Sequence, residues 1–124
     1  MSERDFRLYL NDILESAQAI PEYVRGYSLE KFSHDRKTYS AVIREFEIIG
    51  EAVSKLPAEI KEQYPNVPWQ DIKDFRNILT HEYFGIDLEI VWQVIVDELP
   101  LLLDAVKDLL SNSCSGKLNS LNRK

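Results

Sequence analysis

The sequence predicts an all-α fold, an antiparallel bundle of four to five helices, and three observations carry that reading. Apolar residues recur at three- and four-residue steps along every long segment, the spacing of one helical face. No stretch alternates apolar and polar residues as a half-buried strand would, and no internal repeat or glycine-rich phosphate loop occurs. Glycine is scarce, four in 124 residues, while proline, serine and aspartate stand where helices begin. The length suits one domain that hides roughly two-thirds of its unfolded surface.

In the first segment Phe6, Tyr9, Leu10, Ile13, Ala17, Ile20, Val24 and Tyr27 form a single stripe. Pro21 interrupts it, at a cost of about 3 kcal/mol if truly interior, which predicts a kink or an early end, with Gly26 as the stop. Ser28 to Phe32 reads as a short helical connector. Ser33 and Asp35 are candidate N-caps for a second long helix striped by Tyr39, Val42, Ile43, Phe46, Ile49, Gly50 and Val53. Its opposite side holds Arg44, Glu45, Glu47, Glu51 and Ser54, and the series Glu45, Glu47, Glu51 reads as a solvated face. Ile48 falls outside the stripe and hints at a second buried surface.

Pro57 suits the first turn of a short helix through Gln63. Pro68 opens a further helix with Trp69, Ile72, Phe75 and Leu79 on its apolar side and Gly85 as its stop. Asp87 caps a last long helix striped from Leu88 to Leu110, which Pro100 should bend. Serine, asparagine and lysine dominate after Leu110. The expected organisation is therefore a helical domain over residues 1–110 and a disordered polar tail over 111–124.

Charge restricts the partners. Residues 1–110 hold 12 Lys or Arg against 21 Asp or Glu, a net of −9, and the tail returns only Lys117, Arg123 and Lys124. Nucleic-acid affinity comes mostly from counterion release by cations. A body this acidic binds RNA only locally or through an assembly of subunits, and it also suits a partner with a basic face. No apolar run approaches the ~20 residues of a membrane span. The charged start lacks the pattern of a signal peptide, and Cys114 is alone. A cytoplasmic protein with no membrane contact is expected.

The segment Arg76-Asn77-Ile78-Leu79-Thr80-His81-Glu82-Tyr83 stands out chemically. Arg76 supplies a planar fork of donors for phosphate. His81 supplies an imidazole that exchanges protons near neutral pH. On a helix Arg76, Thr80 and Tyr83 share one side and Asn77 and His81 a neighbouring line. Arg76 and His81 lie about 140° apart around the axis. They converge if the helix loosens near His81, or if two copies meet across a two-fold axis, the commonest oligomeric arrangement. Arg76 would then hold a phosphate and stabilise its developing charge. His81 would act as general base on a ribose 2′-hydroxyl or as acid on the leaving oxygen. Asn77 would orient the histidine or bind a base or sugar, and Tyr83 would stack or donate a hydrogen bond. The product would be a cyclic phosphate, with no metal or cofactor required.

Plainer roles exist for each residue. Arg76 could pair with Asp71, Asp74 or Glu82 on a solvated face. His81 could serve the helix dipole, and Tyr83 could be a core aromatic with a wet hydroxyl. Glu51 could be solvated, or could reach the motif and hold Arg76 in place. His34 lies in a polar cap region, and Trp69 and Trp92 suit the core. Two histidines without a close third ligand disfavour zinc.

The arrangement Arg76-Asn77, four residues, His81, any residue, Tyr83 resembles the motif of HEPN domains in the branch called HepT. The flanks match as well: Ile48-Ile49-Gly50-Glu51-Ala52, Val67-Pro68-Trp69, and Tyr83-Phe84-Gly85-Ile86-Asp87 running on to Trp92. The likeness spans roughly residues 5–110. It implies an all-helical homodimer and a metal-independent ribonuclease with Arg76 and His81 as catalytic residues. It implies further the toxin half of a type VII-like toxin–antitoxin pair. The antitoxin, an MntA-like nucleotidyltransferase, would silence the toxin by AMP transfer to Tyr83. Asn77, Thr80, Tyr83 and Glu51 would support the site or bind substrate. A rival reading is a non-catalytic, nucleotide-binding accessory subunit of a minimal nucleotidyltransferase, which the acidic body favours. A purely structural helical adaptor is the third.

Overall fold

The computed structural model describes residues 3–81 and 86–123, with side chains over 6–79 and 86–111. The described residues form seven helices and no strand: α1 (Glu3–Tyr23), α2 (Leu29–Ser33), α3 (Arg36–Ser54), α4 (Ala58–Lys61), α5 (Trp69–His81), α6 (Leu88–Asp97) and α7 (Leu99–Arg123). The all-α expectation holds. The count rises to seven because the two short segments, α2 and α4, add to the long helices and the expected last long helix is divided in two.

Local chemistry accounts for the boundaries. Pro21 sits in the last turn of α1, which stops at Tyr23, and the chain reverses through Gly26 at a φ of 77°. A side chain there would strain the backbone. Ser28 caps α2 by accepting from the Lys31 amide at 3.1 Å. Asp35, not Ser33, caps α3, accepting from the Thr38 amide at 3.2 Å and the Tyr27 hydroxyl at 2.6 Å. These hydrogen bonds from Tyr27 and Thr38 hold the Asp35 carboxyl below its ordinary range. Pro57 caps α4, which ends at Lys61 rather than Gln63. Asp87 caps α6 by accepting from the Glu89 amide at 2.9 Å.

The expected last long helix is two helices. Pro100 has no amide to give to the Val96 carbonyl, and its ring crowds that carbonyl. The helix breaks at Glu98 and restarts at Leu99, which places Pro100 in a first turn where it is tolerated. Burial of Glu98 at this junction, with Asp71 and Asp97 nearby, raises its carboxyl above the ordinary carboxylate range. Helix α7 continues to Arg123, into the segment expected as a tail; side chains from residue 112 onward lie outside the described residues.

Helix α3 is central. It packs against both α1 and α5; α1 also packs against α7, α7 against α6, and α2 bridges α3 and α6. Leu10, Ile13, Ala17 and Ile20 of α1 join Val42, Phe46, Ile49 and Val53 of α3 in the core. Phe46 and Phe75 meet edge to face with centroids 5.2 Å apart, which ties α5 to α3. Trp69 is buried and its indole donates to the Lys61 and Tyr64 carbonyls, both at 3.0 Å. Trp92 packs on Phe32, centroids 5.2 Å apart. His34 bonds the Glu30 carbonyl through Nδ1 at 2.8 Å, a local helix-end role. Among the described residues no helix is long and apolar enough to cross a membrane.

Candidate functional site

Arg76 occupies the side of α5 that crosses α3, directly over Gly50. A Cβ built on Gly50 would fall 2.5 Å from Arg76 Cγ and closer still to Arg76 Cβ. Gly50 is a helical residue in the middle of α3, where glycine costs about 1 kcal/mol relative to alanine. The reason for it is this crossing: only a residue without a side chain lets the base of Arg76 rest against the α3 backbone.

The guanidinium then reaches past the crossing to Glu51, with Nη1 3.4 Å from Oε1. The other carboxylate oxygen of Glu51 lies 3.4 Å from Lys55 Nζ. One carboxylate thus sits between two cations on neighbouring helices. The Arg76 partner suggested by spacing alone was on its own helix, at Asp71, Asp74 or Glu82. Asp74 instead accepts from Gln70 at 3.0 Å, and Glu82 lies outside the described residues. Arg76 is partly covered, its side chain 27% exposed, so its aliphatic stem is packed while its head faces an open groove.

That groove holds about 410 Å³. Its floor is α3, with Arg44, Glu47, Ile48, Glu51 and Ala52, continued by Lys55; Tyr9 and Asp12 of α1 form one wall and Arg76 of α5 the other. The size is within the usual range for small-ligand sites. Glu47, expected on a solvated face, is therefore part of a groove floor with Arg44, and Glu51 makes the contact with Arg76 that was the second of its two expected roles. Ile48, outside the main stripe, is half-buried in that floor. Spacing alone did not mark Tyr9, Asp12, Arg44 and Lys55. The available signal was the 44, 48, 51, 55 periodicity, a second stripe beside the core stripe of α3.

Asn77 follows Arg76 on α5 and is exposed, and Ile78 beside it is 52% exposed. The backbone of α5 carries Thr80 and His81, but their side chains, and Tyr83 entirely, lie outside the described residues. The structure therefore brings Arg76 and Glu51 together, and the expected meeting of Arg76 with His81 falls outside what it describes.

The family described as Ribonuclease HepT-like matches residues 13–109. The chain belongs to this family. The match takes in α3, the groove floor and the motif helix. Among similar proteins, one from Caldanaerobacter subterraneus named as a candidate RNase is 43% identical over 104 residues, 84% of this chain and 93% of that one. A protein of Thermococcus cleftensis named probable ribonuclease HepT is 39% identical over 100 residues, 81% of this chain and 91% of that one. A Methanocaldococcus jannaschii protein named as a gamma-glutamylcyclotransferase and candidate RNase is 37% identical over 119 residues. That similarity covers 96% of this chain, which spans only 54% of that longer protein. No solved structure matches the chain. The matched stretch carries most of the buried core, which Leu10 of α1 extends beyond it.

Proposed function

We propose that the chain is a metal-independent RNA endonuclease of the HepT type, working as a homodimer in the cytoplasm. The observation that carries this is the seating of Arg76. A helix crossing made possible by Gly50 fixes the base of the side chain, and Glu51 orients the guanidinium toward a groove. A cation fixed in this way suits a phosphodiester, because its donors need little reorganisation when charge builds on the phosphate oxygens. In the reaction His81 takes the proton of a ribose 2′-hydroxyl. The 2′-oxygen bonds to phosphorus, the bond to the 5′-oxygen breaks, and that oxygen leaves with a proton. The products are a 2′,3′-cyclic phosphate and a 5′-hydroxyl. Asn77 and Thr80 bind substrate or orient the imidazole. The exposed Ile78 beside Asn77 supports a second copy packing along the motif helix.

The same proposal makes the protein the toxin of a type VII-like toxin–antitoxin system. A partner MntA-like nucleotidyltransferase transfers AMP from ATP to the Tyr83 hydroxyl, releasing pyrophosphate. The adduct adds phosphate charge and bulk to the motif and so opposes the binding of RNA. RNA cleavage by wild type, Arg76→Ala and His81→Ala side by side tests the ribonuclease. Each substitution abolishes cleavage with helicity retained; full cleavage by His81→Ala removes the mechanism. Incubation with the partner and ATP, read by mass spectrometry, tests modification, and a Tyr83→Phe protein that still gains AMP removes that assignment.

The net of −9 over residues 1–110 favours a second reading, a non-catalytic accessory subunit that presents nucleotides or Tyr83 to the transferase. Purified, unmodified protein that accepts AMP but cuts no RNA would establish it.

A further inference from the structure

We propose that the groove over α3 is a track for single-stranded RNA, with Arg44 and Lys55 holding the phosphates on either side of the one held by Arg76, and Tyr9 stacking on a flanking base. The inference rests on the ribonuclease reading and adds to it where the strand runs.

Three observations support it. First, the groove is balanced in charge on a body of net −9, so it repels a polyanion less than the surface around it does. Arg44, Lys55 and Arg76 all line it, a quarter of the twelve cations in residues 1–110. Second, these cations form a line. Arg44 of α3 and Lys55, the residue that follows its last turn, lie eleven residues apart in one helical register, about 16 Å along the axis. Arg76 crosses between them, over Gly50. Arg76 and Lys55 flank the one Glu51 carboxylate and Arg44 stands apart from them along α3; a pair with an outlying cation fits a polyanion with repeating charges, whereas a free monophosphate would use the pair alone. Third, Tyr9 of α1 faces the line from the opposite wall and is half-buried, which places an aromatic surface where an unpaired base can stack.

The acids of the groove set the strength of this binding. Asp12, Glu47 and Glu51 balance the three cations, so the lining carries no net charge. Glu51 is shared by Arg76 and Lys55, and the phosphates that these two cations hold compete with that carboxylate. The track therefore captures RNA weakly and discriminates by the position of its charges, in keeping with a body that repels nucleic acid elsewhere.

The test is the salt dependence of binding by the full chain. The probe is a single-stranded 2′-O-methyl RNA oligomer, which lacks the attacking hydroxyl and stays intact. Each phosphate neutralised on a single strand contributes about −0.7 to the slope of log affinity against log salt. Three contacts in wild type weaken binding about 20-fold between 50 and 200 mM salt, Arg44→Ala or Lys55→Ala alone about 7-fold, and the double variant between about two- and three-fold. Tyr9→Leu weakens binding without altering the slope. Lys107→Ala, which removes an exposed cation of α7 outside the groove, leaves both affinity and slope at wild type. A double variant with the wild-type slope, or a loss equal to that of Lys107→Ala, overturns the track. If wild type still cleaves RNA and His81→Ala does not, the ribonuclease reading survives that result. Wild type that neither binds nor cleaves single-stranded RNA overturns both.

Discussion

Replacing Gly50 by alanine adds one methyl group where α3 and α5 cross, and the structure gives the size of the conflict. The new carbon would lie 2.5 Å from Arg76 Cγ, and nearer to Arg76 Cβ. Carbon atoms pack best at about 3.5–4.0 Å, so the surfaces must separate by roughly 1 Å or more. A change of rotamer cannot relieve this, because the Cβ of Arg76 is fixed to the α5 backbone. The helix itself has to shift. Overpacking of this kind costs about 1–3 kcal/mol, and alanine returns about 1 kcal/mol of helix propensity. The net loss is about 0–2 kcal/mol, a fall in Tm of no more than about 10 °C for a domain of this size. The effect on cleavage is larger, since a 1 Å misplacement of a positioned group can cost about 100-fold. Single-turnover cleavage of RNA at a temperature well below the melt separates the two effects. The expected result is a well-folded protein slowed at least ten-fold. A Gly50→Ala protein with raised Tm and wild-type cleavage would refute the idea that this crossing seats the guanidinium.

Three further outcomes follow from contacts already described. Glu51→Gln removes the carboxylate that competes with phosphate and also loosens Arg76, so KM and kcat should both fall in steady-state cleavage, while stability changes by less than about 1 kcal/mol because the Glu51 side chain is half-exposed and screened by solvent. Asp35→Asn should lower Tm at neutral pH and flatten the acid limb of the stability curve. The wild-type carboxyl titrates below its unfolded value of 3.8, so its contribution is present above that value and lost as pH falls through the lower folded one. Glu98→Gln should raise Tm at pH 7 and change little well below 4.5. Here the folded carboxyl titrates above its ordinary value, so the folded state loses stability as pH rises across that window, and the amide removes the penalty; thermal melts across pH check both signs.

Much of the bundle was legible because it depends on local rules. The stripes of α1, α3 and α5 follow helical spacing, and Asp35 and Asp87 cap helices as short polar residues do when their oxygens reach the next turn. The break at Glu98 was less legible. A proline in an apolar stripe permits either a bend or a restart, and the choice depends on what each half packs against: α6 on α2 and α7, α7 also on α1. The motif was recognisable by composition and flanks, but its surroundings were not. The contact of Glu51 with Arg76 was readable only as one of two roles, because nothing local fixes a pair so distant in sequence, and Gly50 shows its purpose only when a second helix lies across it. The groove draws on three helices, so no single helical wheel contains it. Spacing could say that Arg44, Ile48, Glu51 and Lys55 share a face, but not that α1 and α5 wall it in.

Helix α3 divides its labour by side. Positions 42, 46, 49 and 53 are buried and answer to volume. Positions 44, 48, 51 and 55 border the groove and answer to the chemistry of whatever enters it. Substitutions on the second set can accumulate with little penalty to folding. A randomised library at those four sites would therefore alter which molecules are accepted while leaving the scaffold intact, giving the domain room to diverge in selectivity.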